Sequence, residues 1–179
     1  MKNKTVILGV TGSIAAYKAC ELTRLMVKAG WDVHVIMTAA AQKFVAPLTF
    51  QTLSRNPVGL DAFAPVASWE PCHISLAERA DVLVVAPCTA NFIAKLSHGF
   101  ADDLLSSTAL ATRAPIVIAP AMNDGMWENP ATRENLEILK RRGVASVAPC
   151  HGELACGTSG NGRMAEPQKI FDQLVNKFA

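Results

Sequence analysis

Five short runs, at residues 5–10, 33–37, 81–86, 115–119 and 144–148, are nearly all apolar, and a stretch with helical spacing follows each of them. Strands that are apolar on both faces belong to a parallel sheet covered on two sides, whereas a sheet with one wet face shows alternation. The intervening helical patterns fall at 14–29, 41–54, 73–80, 91–111 and 131–142, with a terminal one at 167–178. No repeat, low-complexity stretch or linker interrupts this rhythm. The pattern predicts an α/β fold: a single doubly wound, Rossmann-like (flavodoxin-like) parallel sheet with helices on both faces, spanning residues 1–179 as one domain. A chain of 179 residues is long enough to bury a core without staples.

The stretch 131–142 carries helix signals at both ends. Asn129-Pro130 supplies a cap and first turn, Leu136 and Leu139 an apolar face, and Lys140-Arg141-Arg142 meets the negative end before Gly143. That basic cluster therefore reads as structural. With 17 basic and 15 acidic side chains there is no global field to draw nucleic acid or an anionic membrane, so any anion must be held locally. No run approaches the length of a membrane helix, and the apolar stretch after the basic start is too short for an export signal, which predicts a cytoplasmic protein. Five cysteines (20, 72, 88, 150, 156) form no CxxC pair, so free thiols are expected rather than disulfides or a metal site.

In open α/β sheets the ligand crevice lies beyond the carboxyl ends of the strands. Three such ends stand out. The first turn, Gly9-Val-Thr-Gly12-Ser13-Ile14, lacks both the GxGxxG spacing and the P-loop lysine, yet its glycines, hydroxyls and following helix favour a phosphate. The second strand ends at Met37-Thr38-Ala39, without the acidic residue that holds an NAD ribose, and the third in Ala86-Pro-Cys-Thr-Ala-Asn91. Hydroxyls, amides and small residues without a carboxylate suit a mononucleotide such as FMN. After the fourth strand, Pro120-Ala-Met-Asn-Asp-Gly-Met-Trp127 gathers a carboxamide, two thioethers and an indole where a ligand would lie, although Met and Trp also fill gaps in cores.

Read together, GVTGSIAAYK (9–18), CHISLAERAD (72–81), APCTANFIAKLSHGFADDLLS (86–106), PAMNDGMW (120–127) and LACGTSGNGRM (154–164) resemble the homo-oligomeric flavin-containing cysteine decarboxylases nearly end to end. The resemblance implies that Gly12, Ser13, Ile14, Thr38, Thr89, Ala90, Asn91 and Ala121 hold FMN. Thr89 stands where that family usually has Ser and keeps the hydroxyl; Phe92 replaces a usual Thr and is left out of the flavin contacts. It further implies a catalytic His73, a substrate-binding Asn123 and Met126, and a proton-donating Cys156 on a mobile flap. Arg163, in the same flap, is our own candidate for the substrate's phosphate.

The implied reaction is decarboxylation of 4′-phosphopantothenoylcysteine to 4′-phosphopantetheine in coenzyme A biosynthesis. A cysteine amide has no electron sink for the carbanion that loss of carbon dioxide would leave. Transfer of two electrons from the thiol carbon to a flavin gives a thioaldehyde β to the carboxylate, after which carbon dioxide leaves and the enethiol is re-reduced. His73, opening a helix, sits at the positive end of its dipole and is expected to be neutral and able to accept a proton. Homotrimers, some built into dodecamers, are implied as well. Three rivals differ in one feature each. A peptidyl-cysteine decarboxylase releases the enethiol and would not need Cys156, a flavin prenyltransferase would not need the octapeptide, and a non-catalytic regulatory subunit would carry an acidic tail. The sequence fits either a free-standing enzyme or a domain excised from a fusion with the synthetase that makes the substrate.

Overall fold

The computed structural model describes residues 4–64, 72–153, 157 and 159–178. β1 (Thr5–Val10), β2 (Asp32–Met37), β3 (Val82–Cys88), β4 (Ile116–Pro120) and the two-residue β5 (Ala145–Ser146) form one parallel sheet in the order β2-β1-β3-β4-β5. Alternation of the strand residues between two cores shows why the runs are continuous. Val6, Leu8, Val33, Val35, Val82, Val84 and Val117 face one layer, whereas Ile7, Ile36, Leu83, Val85 and Ile118 face the other.

The first layer consists of α1 (Ala16–Lys28), α2 (Pro47–Ser54) and α8 (Pro167–Phe178), which bury Leu22, Met26, Phe50, Ile170 and Leu174 against the sheet. The second is built from α3 (Cys72–Arg79), α4 (Ala90–His98), α5 (Leu104–Ala111) and α7 (Pro130–Arg141), through Leu76, Phe92, Ile93, Leu105 and Leu139. The doubly wound architecture is as the sequence predicts. Asn129 caps α7 by accepting from Ala131 N at 2.9 Å, and of the basic cluster Arg142 is structural, its side chain donating to Ser97 O near the end of α4 rather than to its own helix. Phe92 is a core residue, 2% exposed, in keeping with its omission from the flavin contacts.

Four boundaries differ from the pattern. The stretch 41–54 is a 3₁₀ turn, Ala41–Lys43, followed by α2, because Pro47 opens a new helix after the extended Ala46. The stretch 91–111 is two helices: Gly99 takes a left-handed conformation (φ 75°), and Asp103 starts α5 with a capping box that involves Ser106. The octapeptide holds a short helix, α6 (Asp124–Glu128). Beyond β5 the chain forms an antiparallel pair, β6 (Cys150–Glu153) and β7 (Ser159–Arg163), where the sequence suggested only a flap loop. Among the described residues, no helix is long and apolar enough to cross a membrane.

Candidate active site

Strand order reverses between β1 and β3, so the loops that leave these two strands diverge to opposite faces and open a crevice above the sheet. Thr11 ties the two rims together. Its hydroxyl donates to Pro87 O at 2.7 Å and accepts from Thr89 N at 3.0 Å, and its own amide also donates to Pro87 O. The sequence offered the Thr11 hydroxyl as a phosphate ligand; at 2% exposure and with both bonds made internally, it is a strut instead. The turn from β1 also lies close to the loop after β2. A Cβ on Gly12 would collide with Ala40, which is why glycine is needed there.

α1 then begins without a side-chain cap: Ala15 takes the N-cap position, and the Ser13 hydroxyl accepts from Ala15 N at 3.3 Å. Ala16 N already donates to Ser13 O and Lys18 N to Ala15 O, so what this helix start offers an anion is chiefly the positive end of its dipole. Thr38, at the end of β2, receives Ala41 N on its hydroxyl, and Thr89 caps α4 by accepting from Phe92 N. Both oxygens retain a proton to donate. Asn91 follows Thr89 into the first turn of α4 and is exposed.

Ala121 N donates to Cys88 O, and Asn123 caps α6 by accepting from Gly125 N at 2.9 Å. The hairpin β6–β7 lies against this segment backbone to backbone, with Met122 N donating to Gly162 O at 3.0 Å. Its inward positions are Gly160 and Gly162. A Cβ on the first would meet Asp124 at 2.8 Å, and one on the second would collide with Met122 O. Glycine at these alternate positions lets the ribbon press flat on the loop that carries Asn123.

Between these parts lies a cavity of about 560 Å³. Ser13, Ile14, Ala15, Tyr17 and Lys18 form one wall, Ala121, Met122 and Asn123 the second, and Glu153, Gly162, Arg163 and Met164 the third. Of the residues expected to bind cofactor or substrate, Ser13, Ile14, Ala121, Asn123 and Arg163 line it. Gly12, Thr38, Thr89, Ala90 and Asn91 stand at the neighbouring strand ends, outside that lining. Met126 is also outside and is 48% exposed, and Trp127 is engaged by Arg133, whose guanidinium sits 4.6 Å from its ring centroid. Cys156 falls outside the described residues.

His73 lies in the first turn of α3, as expected, but does not line this chain's cavity. Its Nδ1 is buried and, among the described residues, has no hydrogen-bond partner.

Lys18 is a wall residue that the sequence reading missed. It is 8% exposed, and its ammonium donates to Glu166 Oε1 at 2.8 Å; Arg163 Nη2 donates to the same oxygen at 2.9 Å. The Lys18 bond, helped by both positive charges, holds the Glu166 carboxyl below the usual glutamate range despite some burial. A signal was available: Lys18 falls three after Ala15 and four before Leu22, within the apolar stripe of α1, where an unexplained charge invites a question. Burial pushes the Cys20, Cys72 and Cys88 thiols up, Cys88 furthest, so these three stay protonated and inert. The described residues hold no cluster of His, Cys, Asp or Glu suited to a metal ion.

The sequence profile of the Flavoprotein family matches residues 1–179. The chain is 48% identical over 179 residues to the coenzyme A biosynthesis bifunctional protein CoaBC of Bacillus subtilis (strain 168), a match that takes in 100% of this chain and 44% of that one. It thus spans less than half the length of that curated relative. Among solved structures it is similar to a mutant PPC decarboxylase complexed with pantothenoylaminoethenethiol, with TM-score 0.89, 32% identity and 98% of each chain covered. It is similar also to the FMN-dependent cysteine decarboxylase SpaF, with TM-score 0.84, 30% identity and 98% and 97% of the two chains covered. A profile match over the whole length, a fold that superimposes with TM-score 0.89 and relatives above 30% identity lead to one conclusion: the chain belongs to the Flavoprotein family.

Proposed function

We propose that this chain is an FMN-dependent carboxy-lyase that converts 4′-phosphopantothenoylcysteine into 4′-phosphopantetheine in coenzyme A biosynthesis. The observation that carries the proposal is the cavity, which joins an uncapped helix start, the carboxamide of Asn123 and the cations Lys18 and Arg163 at the crevice where the strand order reverses. The likeness to a mutant PPC decarboxylase complexed with pantothenoylaminoethenethiol supports the substrate class, and that to an FMN-dependent cysteine decarboxylase supports the cofactor.

The residues present fit FMN. The dipole at the start of α1, the close approach allowed by Gly12 and the remaining proton on each of Thr38 and Thr89 suit a phosphate and ribityl chain without demanding a metal. Gly12, Ser13, Ile14, Thr38, Thr89, Ala90, Asn91 and Ala121 would hold it. When bound, FMN supplies a two-electron acceptor for the thiol-bearing carbon and later returns the pair.

The chain's own groups do the rest. His73, in the first turn of α3, supplies an imidazole that can take the substrate's thiol proton or orient it. Asn123, fixed at the start of α6, orients the substrate's carboxylate or amide, and Met126 packs on its apolar part. Arg163 meets the phosphate, and Cys156 returns a proton to the enethiol carbon. Since His73 does not line its own chain's cavity, the site is completed between subunits of a homotrimer, which can assemble further into a dodecamer. Residues 1–179 act as a single flavoprotein domain in the cytoplasm.

The test is direct. Protein purified with FMN and given 4′-phosphopantothenoylcysteine should yield a product lighter by one carbon dioxide. A product lighter by two further hydrogens would mark enethiol release, and colourless protein that FMN cannot reconstitute would overturn the reading.

A further inference from the structure

The segment from Arg163 to Pro167 does more than connect β7 to α8. Met164 and Ala165 are buried (1% and 0% exposed), and Glu166 O accepts from Ile170 N, so the Glu166 backbone is fixed to the start of α8. α8 in turn is packed on the first core through Ile170 and Leu174. From this fixed point one carboxylate oxygen reaches two cations on separate elements, Lys18 on α1 and Arg163 on β7, and both cations line the cavity. Glu166 itself does not line it.

We propose that Glu166 is a positioning residue, a clasp that holds the ammonium of Lys18 and the guanidinium of Arg163 on the cavity wall and, through Arg163, fixes the β6–β7 hairpin over Asn123. Geometry and charge both require it. The inward residues of β7 are glycines, with no side chain to bury; among the described residues the Met122–Gly162 hydrogen bond and this ion pair are two of the bonds that tie the hairpin to the body. Without the carboxylate the two cations face each other with no intervening anion. The more exposed one, Arg163, then swings towards water, and β7 loosens on the hairpin side of the buried Met164 and Ala165. The clasp acts through other groups and touches no reacting atom, so its loss should raise KM for the anionic substrate more than it lowers kcat.

This inference deepens the decarboxylase reading and rests on it for its kinetic arm only. In FMN-loaded protein, Glu166→Ala should lower kcat/KM by on the order of ten- to a hundredfold, chiefly through KM, with the flavin content unchanged. Glu166→Gln keeps an acceptor oxygen and should recover part of the loss. The double variant Glu166→Ala/Arg163→Ala should lose less than the product of the two single losses, since the clasp has nothing left to hold on β7. Amide exchange provides an arm that needs no substrate: the β6–β7 amides should exchange about tenfold faster in Glu166→Ala and those of β1 and β3 at the wild-type rate. Losses that multiply, or hairpin amides that exchange as in the wild type, would overturn the clasp. A wild-type protein without turnover would sink the decarboxylase reading instead and leave the exchange result to decide.

Discussion

The central sheet and the β6–β7 hairpin are held by different physics. β1 and β3 bury nearly every residue, and their side chains alternate between two cores covered by helices. β6 and β7 alternate exposed residues with partly buried or glycine positions and meet the body through backbone contact and charge. The sheet is the scaffold; the hairpin forms one wall of the cavity, and the contrast in how it is held predicts that it shifts without unfolding the sheet. Function at a strand-end crevice needs both, since groups fixed on the sheet must meet a surface that can open to admit substrate.

The contrast can be broken in graded steps. Leu8 is fully buried in the first core, and Leu8→Ala should destabilise the fold by about 2–5 kcal/mol, read as a lower denaturation midpoint with an unchanged slope. Thr11→Val keeps the shape but leaves Thr89 N without its acceptor at the crevice; roughly 1–3 kcal/mol of stability should go, and flavin binding should weaken in titration. Gly162→Ala acts on the other region. The collision with Met122 O and a φ of 121° are relieved by undocking the hairpin, so global stability should change by less than about 1 kcal/mol while turnover falls sharply. If Gly162→Ala unfolded the protein as readily as Leu8→Ala, the two regions would be one cooperative unit and the contrast would fail.

The smallest effect is one of pH. The folded Glu166 carboxyl lies below its ordinary range, so its contribution to stability is complete above that range and is lost as pH falls through the lowered value. Glu166→Gln has no such proton to take up. Its melting temperature should therefore fall less than the wild type's as pH drops below the usual glutamate range, and parallel curves would show that the pair adds nothing on this exposed side.

Much of this was legible before any coordinates. Continuous apolar runs such as Val82 to Ala86 announce a covered parallel strand, and Asn129-Pro130 announces a helix start, because each is a local rule with one common solution. The break at Gly99 was harder: a glycine within an apolar helical pattern is tolerated in some helices and ends others, and here the capping box at Asp103 decided the matter. The hairpin was missed because its inward residues are Gly160 and Gly162, which carry no hydrophobic period to read. Among the site residues, the small and hydroxylic groups at the strand ends could be located from spacing. Thr11 could not be told from a ligand-binding hydroxyl, since Pro87 O and Thr89 N, its partners, are some 76 and 78 positions away.

Local pattern by itself determined the alternation of strands and helices, the layers that cover them and the end of the sheet where a ligand would lie, because periodicity and end signals act within a few residues. Only the tertiary structure decided which polar groups are occupied and which face the cavity. Lys18, Arg163 and Glu166 meet because α1, β7 and the start of α8 pack together, and a contact spanning 148 positions of chain leaves no trace in the spacing of any one segment.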